Sequence, residues 1–151
     1  MLKKPVVLLF IVYLLIAWTA IAGVAQSTKK RLPSNQELVS RAKSVYVESD
    51  TFYMKRENLE SSLLGREEFK AWEIQITGQR DFADLVISVR RVPFRNHFIY
   101  TVTDTETNTV VMAGKVDSLA GTVYGLIADE IIHKMKVFRG DPLAGNPPPK
   151  S

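Results

Sequence analysis

Along this chain the spacing of apolar and polar residues changes register several times, and each change marks an element. An unbroken apolar run from Pro5 through Ala25 follows a basic Met1-Leu2-Lys3-Lys4 start and gives way to the polar stretch Gln26 to Pro33. Ser34-Asn35-Gln36-Glu37 has the Ser-x-x-Glu spacing of a capping box, in which hydroxyl and carboxylate each satisfy an orphan backbone N–H, so a short helix to about Ala42 is expected. Ser44 to Glu48 alternates with Val45 and Val47 on one face, as a strand does. From Glu57 to Trp72 the residues Leu59, Leu63, Leu64, Phe69 and Trp72 recur at helical spacing, which predicts an amphipathic helix broken near Gly65. Alternation resumes from Trp72 to Thr77, a turn follows at Gly78 to Asp81, and a new strand pair is expected to open there.

Asp84 to Arg91 places Leu85, Ile87 and Val89 on one face, and Pro93, which cannot donate to a ladder, closes that strand. The β-rich runs His97 to Thr103 and Thr109 to Val116 flank Asp104-Thr-Glu-Thr-Asn108, a hairpin signal in which Asn108 takes the left-handed conformation. The three runs predict an antiparallel meander. Asp117 or Ser118 then caps a last helix striped by Leu119, Val123, Leu126, Ile127, Ile131 and Met135, with Lys134, Lys136 and Arg139 near its negative end. Residues 140–151 lack apolar periodicity and read as a disordered tail. The order predicts an α+β fold: a mostly antiparallel sheet of four to five strands with two main helices packed on one face. The expected division is a leader at 1–25, a linker at 26–33, one α+β domain at 34–139 and the tail.

The leader sets the address. Gly23-Val24-Ala25 supplies small residues at the positions a signal peptidase reads, which places cleavage after Ala25; the run also approaches the length of a membrane span, so an uncleaved anchor is the alternative. In both cases the domain is exported, to the periplasm or to the periplasmic face of the inner membrane. ATP and nicotinamide cofactors are scarce there.

Composition narrows the function. The chain is 151 residues with 46% hydrophobic and 24% charged residues, enough for one folded domain. Lys3 and Lys4 belong to the leader, which leaves a formal +2 on the mature chain. So small a charge argues against a nucleic-acid binder. With no cysteine, disulfides, thiolate metal sites and a lipoprotein acceptor are all excluded.

No residue set promises catalysis, a cofactor or a metal. His97 opens a strand and His133 lies in the last helix, neither with a partnered nucleophile in sequence. Arg90 to His97 is the densest basic stretch of the domain; it reads either as a solvated hairpin end or as a contact for phosphate or phospholipid headgroups. Asp81 and Asp84 are a candidate carboxylate pair divided between a turn and a strand. Tyr46, Tyr53, Tyr100 and Tyr124 are scattered over separate elements, which favours packing over a stacking platform. Gly121 and Gly125 allow close approach in the last helix, Arg139-Gly140-Asp141 matches an adhesion tripeptide too short to carry weight, and Pro147 to Lys150 forms a polyproline spacer.

Ser44-Val-Tyr-Val-Glu48, Glu68-Phe-Lys-Ala-Trp72, Ala83-Asp84-Leu85-Val86-Ile87-Ser88-Val89, Tyr100-Thr-Val-Thr-Asp104 and Gly114-Lys115-Val116 before a terminal helix together resemble a group of small uncharacterised exported bacterial proteins. More loosely the succession resembles the envelope α+β domains of the TolB N-terminal and CsgG-like kind, over Arg41 to Arg139. The resemblance implies a fold and an envelope address and transfers no site residue. The expectation is therefore a non-enzymatic envelope domain that binds another protein through a sheet edge or face. The alternative is a small-molecule or lipid carrier with an apolar pocket between sheet and helices, supported by Phe94, Phe98, Met112 and Phe138 near element ends.

Overall fold

The computed structural model describes residues 31–117 and 123–142. The chain divides into Met1–Leu32 and Pro33–Ser151, and every element below belongs to the second unit. The leader, most of the linker, Ser118, Leu119, Gly121 and residues 143–151 lie outside the described residues.

Helix α1 (Asn35–Arg41) begins with the expected capping box: the Glu37 N–H donates to Ser34 Oγ at 3.2 Å and the Ser34 N–H donates to the Glu37 carboxylate at 2.6 Å. Strand β1 (Ser44–Ser49) buries Val45 and Val47. The long amphipathic stretch breaks where glycine predicted, into α2 (Arg56–Leu64) and α3 (Glu67–Ala71) around Gly65.

The strand expected from Trp72 to Thr77 shrinks to β2, Gln75–Ile76 alone. Trp72 and Glu73 instead finish α3, their N–H groups donating to Glu68 and Lys70 carbonyls at 2.9 Å each, and Glu73 turns the chain with φ 56°. A left-handed position of this kind favours glycine, and no glycine marks it in the sequence. Glu73→Gly is expected to raise stability by about 0.5–1 kcal/mol, measured by denaturant unfolding; an unchanged or lower midpoint would show that the Glu73 side chain compensates the backbone.

The sheet is mixed, and here the expectation of a mostly antiparallel sheet is corrected. Its order is β2-β1-β3-β4-β5, with β3 at Leu85–Arg91, β4 at His97–Asp104 and β5 at Thr109–Asp117. β2 and β3 both run parallel to β1, with Val45 beside Ile76 on one side and Leu85 on the other. No strand pair opens across Gly78 to Asp81; a 3₁₀ turn at Arg80–Phe82 leads into β3. The physical reason is the crossover: α2 and α3 carry the chain back to the start of β1, and strands joined through a returning helix pair in parallel. Asp84 fixes that register. Its Oδ2 accepts from the Lys43 N–H (2.7 Å), the Ser44 N–H (2.9 Å) and the Ser44 hydroxyl (3.0 Å), so the entries to β1 and β3 are clipped side by side.

The meander β3-β4-β5 is antiparallel, as expected, with a bulge at Val102/Thr103 and Asn108 left-handed at φ 53°. Helix α4 (Val123–Arg139) buries Val123, Ile127, Ile131 and Met135 of the predicted stripe, whereas Leu126 is exposed and Ala128 and Ile132 take its place. Asp117 is the last residue of β5, and the residues that would join it to the last helix lie outside the described ones. Helices α1 and α2 each pack on α4, and the three lie on a single face of the sheet, with Leu38, Leu59, Leu63, Tyr100, Ile127 and Ile131 fully buried between the layers. Arg139 closes the far end. Its guanidinium donates to the Val39 and Ala42 carbonyls at 2.7 and 2.9 Å, satisfying the C-terminus of α1.

Candidate functional site

Alternation that turns Val45, Val47, Leu85, Ile87, Val89, Phe98, Tyr100 and Val102 toward the helices must turn their neighbours the other way. The second face therefore carries Tyr46, Glu48, Val86, Ser88, Ile99, Thr101, Thr103, Ala113 and Lys115, and the described helices reach it only through the Arg56 side chain over Tyr46. Most of these side chains are half-buried or exposed. Val86 differs: it is 1% exposed, yet it stands outside the core cluster. It is the floor of a shallow groove of about 370 Å³ whose other walls are Arg80, Asp81, Thr103, Thr105 and Asn108.

A polar relay braces this face beside the groove. Glu48 accepts from the Ser88 hydroxyl and, at 3.0 Å, from Arg80 Nη1, so the groove arginine is held by a carboxylate of β1. The groove's rim is the β4–β5 turn, which Asp104 organises. Asp104 Oδ2 accepts from the Thr107 N–H (2.8 Å) and hydroxyl (2.7 Å), while Arg41 reaches Oδ1 at 3.5 Å. Burial pushes the Asp104 carboxyl up, but the Thr107 and Arg41 contacts outweigh it and hold the group below its ordinary range.

The β5 edge of the sheet is less open than its face. On β5 the Val111 carbonyl accepts from Asn35 Nδ2 at 3.2 Å and the Ala113 carbonyl from Lys134 Nζ at 2.6 Å. Side chains of α1 and α4 thus occupy the acceptors that an added strand would need. The opposite edge is β2, two residues long.

The structure disperses the residues that the sequence singled out. His97 contacts Asp117 across the β4–β5 pair, and His133 is exposed on α4. Asp84 is committed to the β1–β3 clip, while Asp81 lines the groove. Arg91 clips its own turn, donating to the Arg95 carbonyl and Asn96 Oδ1 at 3.0 Å each, and lies 4.0 Å over the Tyr53 ring. Tyr46 sits on the open face under Arg56, Tyr100 is core, and Tyr124 packs against the core from outside. Gly125 has open space where a Cβ would stand, so no described element of this chain packs closely on it there. In the adhesion-like tripeptide Arg139 caps α1, and Asp141 pairs with Lys136 at 3.4 Å. Phe98 and Met112 are buried, and Phe138 packs against the core; Phe94 is fully exposed. Among the described residues no group of three or more His, Cys, Asp or Glu could hold a metal, and no helix is long and apolar enough to cross a membrane.

The groove escaped sequence reasoning because its walls come from three separated segments. The one available signal was Val86, an apolar residue at the outward position of β3 beside inward Leu85 and Ile87.

No family model matches the chain, and no curated protein does. Among solved structures it is similar to a PelC variant dodecamer from Paraburkholderia phytofirmans, at 14% identity and a TM-score of 0.37 over 74% of this chain and 95% of that one. A second PelC dodecamer from the same organism aligns at 15% identity and a TM-score of 0.34, over 72% of this chain and 94% of that one. Both scores are too low to establish a common fold.

Proposed function

We propose that this chain is an exported, non-enzymatic domain of the bacterial cell envelope that binds another protein through the uncovered face of its sheet. The observation that carries the reading is that face itself: a mixed surface in which Tyr46, Ile99, Thr101 and Ala113 offer apolar and hydroxyl contact area around the Val86 groove. Between the edge and the face as docking surface, the Asn35 and Lys134 contacts on β5 favour the face. The carrier alternative needs room between the layers. Leu59, Leu63, Tyr100, Ile127 and Ile131 have no exposed surface there, which favours the binding reading. The envelope address rests on the leader and on the resemblance carried by Arg41 to Arg139.

A photo-crosslinking residue placed at Thr101 tests the proposal in intact cells. Discrete protein adducts at Thr101, absent when the same residue replaces exposed Val137 on α4, are the expected result. Adducts at neither position, or equally at both, would overturn the face as the docking surface. Intact mass of the fractionated protein tests export: a species beginning near Gln26, or a membrane-bound species retaining Met1, is expected, and a cytosolic full-length species would overturn it.

A further inference from the structure

One end of the sheet carries a second surface, formed by two loops and reaching the open face only at Arg90. β1 and β3 run parallel, so the loop after Ser49 and the turn after Arg91 leave the sheet at the same end. Two contacts join them: the Asp50 N–H donates to the Val89 carbonyl at 3.0 Å, and the Arg91 guanidinium stacks on Tyr53. At the outer tips stand Phe52 and Phe94, with relative exposures of 105% and 103%, the most exposed large apolar side chains described. Phe94 is held there by a left-handed backbone, φ 61°, a conformation that a bulky side chain rarely adopts.

Charge surrounds these tips asymmetrically. Segments 50–55 and 90–96 contain Lys55, Arg90, Arg91 and Arg95 against the single acid Asp50. Asp117, at the same end of the β4–β5 pair, is engaged by His97 and by Lys115 at 3.7 Å. Arg90 and Arg95 are exposed. We propose that this end of the domain docks on an anionic phospholipid surface, with Phe52 and Phe94 entering the headgroup–acyl boundary and Arg90 and Arg95 meeting lipid phosphates. The shape favours a bilayer over a protein. Aromatic anchors of protein interfaces fill pockets at the centre of a fitted patch, whereas these two are fully exposed on loops whose charged residues are mostly basic, the arrangement that an interfacial anchor requires. Arginine suits phosphate oxygens through its planar fork, and each basic side chain near such a surface contributes about fivefold in affinity.

The chain has no cysteine, so a single introduced thiol can be labelled uniquely in the full-length protein. Phe52→Cys, Phe94→Cys and, as a control, Val137→Cys would each carry a polarity-sensitive nitrobenzoxadiazole label. All three sites are exposed, so the fold is not at stake. With vesicles of phosphatidylethanolamine and phosphatidylglycerol, labels at 52 and 94 are expected to brighten and shift to the blue while the label at 137 does not. The label reads its own surroundings, so the result holds whether or not residues 1–25 remain attached. Adding Arg90→Glu and Arg95→Glu should raise the lipid needed by about tenfold or more, and vesicles of phosphatidylcholine alone should give a much weaker response. Silent labels at 52 and 94, an equal response at 137, or indifference to lipid charge would each overturn the proposal. Burial of these labels on raising the protein concentration without lipid would also overturn it, by assigning the tips to a contact between chains.

Discussion

Replacing Gly114 by valine is expected to destabilise the domain by about 3 kcal/mol, read as a lowered denaturant midpoint with an unchanged slope. At an ordinary strand position the sign would be the opposite, since valine suits a pleated strand and glycine does not. Here Gly114 lies directly opposite Tyr100 on β4, and the tyrosine ring occupies the space above it. A Cβ at 114 would meet Tyr100 Cε1 and Oη at 2.5 Å and Cζ at 2.6 Å. The ring cannot step aside cheaply: Tyr100 has no exposed surface and packs in the core, with the Lys134 ammonium 5.4 Å from its centroid. Either the strand pair spreads or the ring leaves the core, and each costs on the order of 1–5 kcal/mol. The pair should therefore be strongly non-additive. In a Tyr100→Leu background the Gly114→Val penalty should fall by at least about 1 kcal/mol. An equal penalty in both backgrounds would show that the ring is not the obstacle.

Gly114 also shows where the sequence is readable and where it is not. It stands in an evident strand, but its partner across the sheet is named only by the register. Local signals were legible because they act within a few residues: the Ser34/Glu37 box, the Gly65 break between α2 and α3, and Asn108 in the hairpin turn. The parallel placement of β2 and β3 was not, because a strand's direction relative to β1 depends on the route of α2 and α3, and alternation carries no direction. Glu73 hid the end of α3 by taking a glycine's conformation without being glycine, so Trp72 to Thr77 passed for one strand.

The surfaces follow the same division. That Val86 points away from the helices is implicit in its position between Leu85 and Ile87, but the groove around it needs Arg80 and Asn108, which only the fold brings to it. The basic stretch from Arg90 was visible in sequence. Its contact with Tyr53, some forty residues earlier, exists only because β1 and β3 are parallel. Had β1 and β3 been antiparallel, the two loops would lie at opposite ends of the sheet, and neither cluster would form.

Asp104 gives the second large effect, and it is tied to pH. Asp104→Ala is expected to cost about 2–3 kcal/mol at neutral pH, because it removes a buried charged acceptor and strands the Thr107 N–H and hydroxyl. It also releases Arg41, which ties α1 to the hairpin through Asp104 and, at 2.6 Å, Glu106. The sign of the pH dependence follows from the lowered folded pKa. The unfolded chain takes up its proton first as the pH falls, so the ionised Asp104 contributes its full stability above the ordinary carboxylate range. That contribution drains away as the pH drops through the lower, folded value. The gap between the natural chain and Asp104→Ala in urea should thus be widest near neutrality and narrow in acid. A gap that stays constant down to acid pH would mean that the carboxylate's charge contributes nothing and that the loss is one of packing. Asp104→Asn separates the two: it keeps an oxygen acceptor for Thr107 but cannot ionise, so it should lose less at neutrality, its gap to the natural chain should also narrow in acid, and the difference between Asp104→Asn and Asp104→Ala should stay constant with pH. Because Thr105 and Asn108 of the same turn line the Val86 groove, loosening the turn should also weaken any partner seated there. The Thr101 crosslink should then fade in Asp104→Ala cells more than the loss of folded protein alone explains.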